Sequence, residues 1–78
     1  MNSTITVSEI AYAIEKDWKK VSPYAADYLN AMKSINSVDE MYYADSAKSV
    51  VMYFLANAAS YRGDNARAYK ALLKDMVK

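Results

Sequence analysis

Apolar residues recur at helical spacing along most of the chain, and polar residues between them mark where helices begin. Thr6-Val7-Ser8-Glu9 fits a capping box, with Thr6 as the N-cap and Glu9 bonding back to it. At about 100° per residue, one face after this start is apolar. Its members are Val7, Ile10, Ala11, Ile14, Trp18 and Val21. We therefore predict a helix over residues 7–20, with Tyr12 on its outer side.

A second helix start lies at Ser22-Pro23, because serine caps free N–H groups and proline fits the first helical turn. The apolar positions that follow at helical spacing are Tyr24, Ala25, Tyr28, Leu29, Met32 and Ile35. This spacing predicts a helix that ends near Ser34, with Tyr24 and Tyr28 facing the core.

Helical spacing over residues 38–62 admits either one helix or two. We favour a short helix at 38–43 after the capping box at 37–40, then a long helix at 46–62 that restarts at Asp45-Ser46. One stripe of the stretch is Met41, Ala44, Ala47, Val51, Phe54, Leu55, Ala58 and Tyr61. The other side of the long helix is also apolar, with Met52, Tyr53, Ala56 and Ala59. Such a helix lies centrally in a bundle or at a subunit interface.

The last helix is predicted at residues 65–77, with Gly63 ending the preceding helix and Asp64 as the N-cap. Its inner face would comprise Ala66, Tyr69, Leu72, Leu73, Met76 and Val77. Its outer face would carry Arg67, Lys70, Lys74 and Lys78. The fold class is all-α, and we expect residues 1–78 to form a single domain, a compact bundle of four to five helices.

Composition argues against catalysis and against bound cofactors or metals. The chain has no cysteine and no histidine, which removes thiolate ligands, the commonest zinc ligand and the commonest general base. Its single glycine excludes glycine-rich phosphate loops. The longest apolar run, residues 50–56, is far shorter than the roughly 20 residues that span a bilayer. We expect a cytoplasmic, non-enzymatic protein that has no membrane segment and binds another macromolecule.

Two surface features are candidates for that binding. Residues 46–78 contain six Lys or Arg and two Asp or Glu, whereas residues 1–45 contain four and seven. The basic face of the last helix is therefore a candidate for phosphates or for an acidic protein, although a solvated helix face is the simpler interpretation. Exposed tyrosines are typical of protein interfaces. The candidate partner-binding residues are Tyr12, Tyr43, Tyr53, Arg67, Lys70, Lys74 and Lys78.

The C-terminal third, from Tyr53-Phe54-Leu55-Ala56-Asn57-Ala58 to Lys70-Ala71-Leu72-Leu73-Lys74, resembles small phage and prophage proteins of unknown function. This resemblance implies an accessory protein of a mobile element, in a bacterial host cell. Such proteins, anti-CRISPR proteins among them, often inhibit host machinery by occupying a surface. The leading hypothesis is thus a protein-binding inhibitor that acts by steric occlusion. The alternatives are a nucleic-acid-binding domain that uses the basic last helix, and a homo-oligomer assembled through the outer side of helix 46–62.

Overall fold

The computed structural model describes residues 5–36, 41–42 and 45–77. These residues form four helices and a short antiparallel pair of strands, joined by turns. The helices are α1 (Val7–Asp17), α2 (Pro23–Met32), α3 (Ala47–Ala56) and α4 (Asp64–Met76). The strands are β1 (Met41–Tyr42) and β2 (Asp45–Ser46), paired with Met41 opposite Ser46 and Tyr42 opposite Asp45. The mostly helical class is confirmed, and the two short strands are an addition to the expected all-α fold.

The first helix begins as its capping box predicts. The Thr6 hydroxyl accepts the Glu9 N–H at 3.1 Å, and the Glu9 carboxylate accepts the Thr6 N–H at 2.8 Å. The helix ends at Asp17 rather than residue 20, because the backbone of Trp18 is extended. The second helix likewise has Ser22 as its N-cap and Pro23 in its first turn, and ends at Met32 rather than near Ser34.

The cap at Thr6 can be tested by its removal. Thr6→Ala should lower the free energy of unfolding by about 1 kcal/mol, because the N–H of Glu9 loses its acceptor. Thr6→Ser keeps the hydroxyl and should stay close to the parent. Urea denaturation measures both, and an unchanged midpoint for Thr6→Ala would show that the capping box does not stabilise α1.

The predicted short helix at 38–43 is wrong where it can be checked. Residues 38–40 and 43 lie outside the described part of the chain, but Met41 and Tyr42 are in a strand. The start of α3 supplies the reason. Ser46 is its N-cap, with extended backbone angles (φ −75°, ψ 151°), and its hydroxyl accepts the Ser49 N–H. Because an N-cap residue is not helical, the chain enters α3 in the conformation that pairing with β1 requires.

The predicted long helix also ends early, at Ala56 instead of residue 62. Asn57 is the C-cap, and its side-chain amide donates to the Tyr53 carbonyl at 2.8 Å, in competition with the continuing helix. Ala58 and Tyr61 are nevertheless buried, as their place in the apolar stripe predicts. They reach the core through a turn, since Tyr61 packs on the indole ring of Trp18.

The last helix begins one residue earlier than predicted. Gly63, not Asp64, is the N-cap, and its φ of 118° lies in the region that glycine tolerates best. The Asp64 side chain makes no cap hydrogen bond and instead faces Arg67, with 3.6 Å between their charged atoms. Gly63 thus provides the turn into α4, but it does not end a helix as predicted, because α3 already ends at Ala56.

The core lies between the four helices, where α2 packs mainly on α3, and α1 contacts both α2 and α4. The described chain is compact, with a radius of gyration of 11.5 Å, close to the roughly 11.5 Å typical of this length. The large side chains without exposed surface include Ile10, Ile14, Met32, Phe54 and Leu73.

Two residues predicted to face the core are exposed. Tyr24 has an exposed fraction of 77%, and Leu72 one of 41%. Each adjoins the residue that does face inward, Ala25 and Leu73 respectively, and consecutive residues lie about 100° apart around a helix. The buried stripes are therefore narrower than the apolar stripes of the sequence.

Candidate functional site

An aromatic surface lies where α2 and α3 pack together. The rings of Tyr28 and Tyr53 are in contact, with 5.6 Å between their centroids and 37° between their planes. Half of Tyr53 is exposed, as its place on the outer side of the helix predicts, and Met52 beside it is 52% exposed. Tyr24 precedes Tyr28 by four residues and so lies on the same side of α2. We call Tyr24, Tyr28, Met52 and Tyr53 the tyrosine face.

The helices that carry the tyrosine face have few charges. Asp27 is the one charged residue of α2, and Lys48 is the one charged residue of α3. Protein interfaces are depleted of charged residues at their centres and enriched in Tyr and Met. This surface therefore shares with interface centres its Tyr and Met content and the low charge of its helices.

Tyr12 belongs to a different surface. It is 54% exposed on α1, as predicted, and the ammonium group of Lys33 lies 5.7 Å from its ring centroid. Lys33 also forms an ion pair with Glu15. Lys33, which lies next to Tyr12, follows the last residue of α2, whereas Tyr24 lies in the first turn of α2. Tyr12 is therefore near the opposite end of α2 from Tyr24. Tyr43, the remaining tyrosine candidate, lies outside the described residues.

A hydrogen-bonded aromatic cluster joins α1 to the segment before α4. The rings of Trp18 and Tyr61 stack with centroids 4.9 Å apart. The Tyr61 hydroxyl donates to the Asp17 carboxylate at 2.7 Å, and the Asn65 side-chain amide donates to the same carboxylate at 3.1 Å. Sequence reasoning placed Tyr61 in the core but missed Asp17 as its partner. No local pattern signals that pair, since the two residues are 44 positions apart.

The cationic residues predicted on α4 do not share one environment. The Lys70 ammonium donates to the Tyr61 carbonyl at 2.6 Å and is partly buried, whereas Lys74 is exposed. Arg67 is exposed beside Asp64, and Lys78 lies outside the described residues. Next to Lys70 is a solvent-open cavity of about 340 Å³. It is lined by Tyr61, Arg62, Gly63, Ala66, Arg67 and Lys70.

Three ionisable groups of this region have shifted pKa values. The hydrogen bond from Tyr61, and then that from Asn65, holds the pKa of Asp17 below its ordinary value. Burial, followed by the bond to Asp17, raises the pKa of Tyr61. Burial, followed by repulsion from Lys74 and Arg62, lowers the pKa of Lys70. The fold therefore favours an ionised Asp17 and a neutral Tyr61.

These shifts predict how stability depends on pH. The folded pKa of Asp17 is lower than in the unfolded chain, so its contribution is complete above the ordinary value of 3.8 and is lost as pH falls through the folded pKa. The folded pKa of Tyr61 is raised, so its contribution is complete below its ordinary value of 10.0 and declines as pH rises further. Tyr61→Phe should be less stable than the parent near pH 7, and the difference should shrink at both extremes.

Denaturant unfolding of the two proteins across pH measures this difference. Lys70 titrates in both proteins, so its own contribution cancels in the comparison. A difference between Tyr61→Phe and the parent that stays constant from neutral pH to below pH 3.8 would contradict the role assigned to the bond with Asp17.

Within the part of the chain that the structure describes, no group of His, Cys, Asp or Glu side chains could hold a metal ion. None of the helices seen there has both the length and the hydropathy to cross a membrane. Comparisons with models of protein families, with curated proteins and with solved structures gave no match. The inference about function therefore rests on the surfaces of the described residues.

Proposed function

We propose that this chain is a non-enzymatic protein-binding module and that its tyrosine face is the docking surface. One observation carries the proposal: Tyr24 and Tyr53 are 77% and 50% exposed on two helices that have one charged residue each. A solvated helix face would normally alternate charges with its apolar residues. This surface instead combines large aromatic area with little charge to desolvate.

Ring packing also favours docking here. Tyr53 rests against Tyr28, which is partly buried against the core. A ring already held in place loses less conformational entropy when a partner covers it. Tyr24, the most exposed ring, supplies further area that a partner would cover. The partner that fits is a protein surface with low charge, apolar area for the rings, and polar groups at its edge for the hydroxyls.

The proposed mode of action is steric occlusion. A small helical bundle seated on a partner through this face would block whatever that partner surface normally contacts. The proposed setting is a bacterial cytoplasm and the proposed target a host defence complex, a choice that the resemblance of the C-terminal third to small phage proteins supports. No catalytic group, cofactor or metal takes part in such a mechanism.

The test is affinity capture from bacterial lysate by the parent and by Tyr24→Ala, Tyr53→Ala. Losing an interface centre of this kind should weaken binding by about 30-fold or more, equivalent to about 2 kcal/mol. Tyr12→Ala is the matched control, because it removes an exposed tyrosine of similar exposure from another surface. Circular dichroism should show all three proteins equally folded.

Two other results would replace the proposal. In the first, the double variant still captures its partner, but nuclease treatment or moderate salt abolishes the capture. That result would indicate nucleic-acid binding through the basic residues of α4. In the second, the mass measured by sedimentation rises with protein concentration, and Tyr53→Ala abolishes the rise. That result would indicate a homo-oligomer, since Met52, Tyr53 and Ala56 are exposed on the outer side of α3.

A further inference from the structure

The cavity at the start of α4 has an unusual distribution of charge. Of its six lining residues, Arg62, Arg67 and Lys70 are cationic and none is acidic. The volume, about 340 Å³, is near the lower end of the roughly 300–1,000 Å³ typical of small-ligand sites. None of the lining residues belongs to the tyrosine face. This cavity is therefore a separate feature from the proposed docking surface.

The three cations are available to a ligand in different ways. The Lys70 ammonium is held by the Tyr61 carbonyl, which uses one of its three donor hydrogens. Arg62 is exposed. Arg67 pairs with the exposed carboxylate of Asp64, at 3.6 Å, and exposed pairs of that kind contribute little. Two guanidinium groups can thus turn toward a ligand beside an ammonium group that is already positioned.

Without an anion, the cationic side chains around the cavity repel one another. Lys70 is partly desolvated and lies close enough to Arg62 and Lys74 for their repulsion, together with burial, to lower its pKa. An anion among these side chains would replace that repulsion with attraction. A group with two negative charges and several acceptor oxygens gains most, because each guanidinium can form two parallel hydrogen bonds to such oxygens.

We propose that this cavity binds a phosphate group, either the free ion or the terminal phosphate of a small monoester. Arg62 and Arg67 donate to the phosphate oxygens from the open side, and Lys70 donates from the partly buried side. The binding is independent of the tyrosine face, so either site can fail without the other.

The experiment is titration of the ¹⁵N-labelled protein, followed through its backbone amide resonances. The probes are inorganic phosphate and phosphoserine, with serine as the control without phosphate. Saturable shifts centred on residues 61–70 are expected with a phosphate probe and not with serine. Saturation by inorganic phosphate alone identifies the free ion as the ligand, and tighter saturation by phosphoserine identifies a monoester.

Substitutions then separate the cavity from general surface charge. Arg62→Ala and Arg67→Ala should each weaken phosphate binding by about tenfold, the size expected for losing a charge-assisted hydrogen bond. Lys74→Ala removes a cation from the same helix outside the cavity lining and should change affinity by no more than about twofold. Both arginines are exposed, so the variants should remain folded.

Three results would overturn the proposal. One is the absence of saturable shifts with either phosphate probe. Another is an effect of Lys74→Ala as large as that of Arg62→Ala, which would indicate diffuse attraction. The last is binding of a single-stranded oligonucleotide that phosphate does not displace, which would assign these cations to a nucleic-acid backbone instead.

Discussion

Replacing Phe54 with alanine is expected to lower the free energy of unfolding by about 3–5 kcal/mol. Phe54 has no exposed surface and lies in the last turn of α3, with its ring edge-on to Trp18 and 6.3 Å between the ring centroids. Alanine would leave a cavity that helices packed on several sides cannot close. A domain of this size has a total stability of about 4–12 kcal/mol, so the substitution would remove a large share of it.

Thermal unfolding followed by circular dichroism measures the effect of Phe54→Ala. A loss of this size corresponds to a fall in Tm of about 12 °C or more. Met52→Ala is the matched control, because Met52 lies on the same helix with half of its surface exposed, and its removal should shift stability by less than about 1 kcal/mol. A fall of only a degree or two for Phe54→Ala would show that the residue is peripheral to the core.

Trp18→Ala should cost a similar amount, about 3–5 kcal/mol, for a different reason. The indole is 7% exposed and lies between Phe54 and Tyr61, so it joins the end of α1 to α3 and to the segment before α4. Its loss removes both ring contacts as well as the buried area. The Tyr61 ring would also lose the neighbour against which it stacks beside Asp17.

This second role gives Trp18→Ala a distinct signature. The stability of Trp18→Ala should be below that of the parent at every pH. Adding Tyr61→Phe to Trp18→Ala should also change the acid dependence of stability less than adding Tyr61→Phe to the parent does. Trp18→Phe keeps an aromatic ring and should lose less stability than Trp18→Ala. Equal losses for the two variants would contradict the importance of the ring contacts, and urea unfolding at pH 7 and at acid pH provides both comparisons.

The two proposed sites differ in how well sequence could have found them. Tyr53 was identified because its outward position follows from helical spacing, and its exposure agrees. The exposure of Tyr24 was not predicted, because the sequence of one helix does not show how much of its apolar stripe the neighbouring helices cover. The cavity was missed altogether, because it depends on Arg62 in a turn lying beside Lys70 of the following helix.

The sequence by itself determined where α1, α2 and α3 begin and the approximate direction of their faces. The caps at Thr6, Ser22 and Ser46 are contacts within three residues, and a 3.6-residue period needs no knowledge of the rest of the chain. The sequence also determined that Phe54 and Tyr61 are buried.

Only the tertiary structure decided what surrounds the end of α3. Tyr61 reaches Trp18 and Asp17 because the chain leaves the helix at Asn57, and those partners are more than forty positions away. The contact of Tyr28 with Tyr53 likewise requires α2 and α3 to lie side by side. Contacts of this kind depend on the angle and separation of packed helices, which the spacing of apolar residues within one helix does not encode.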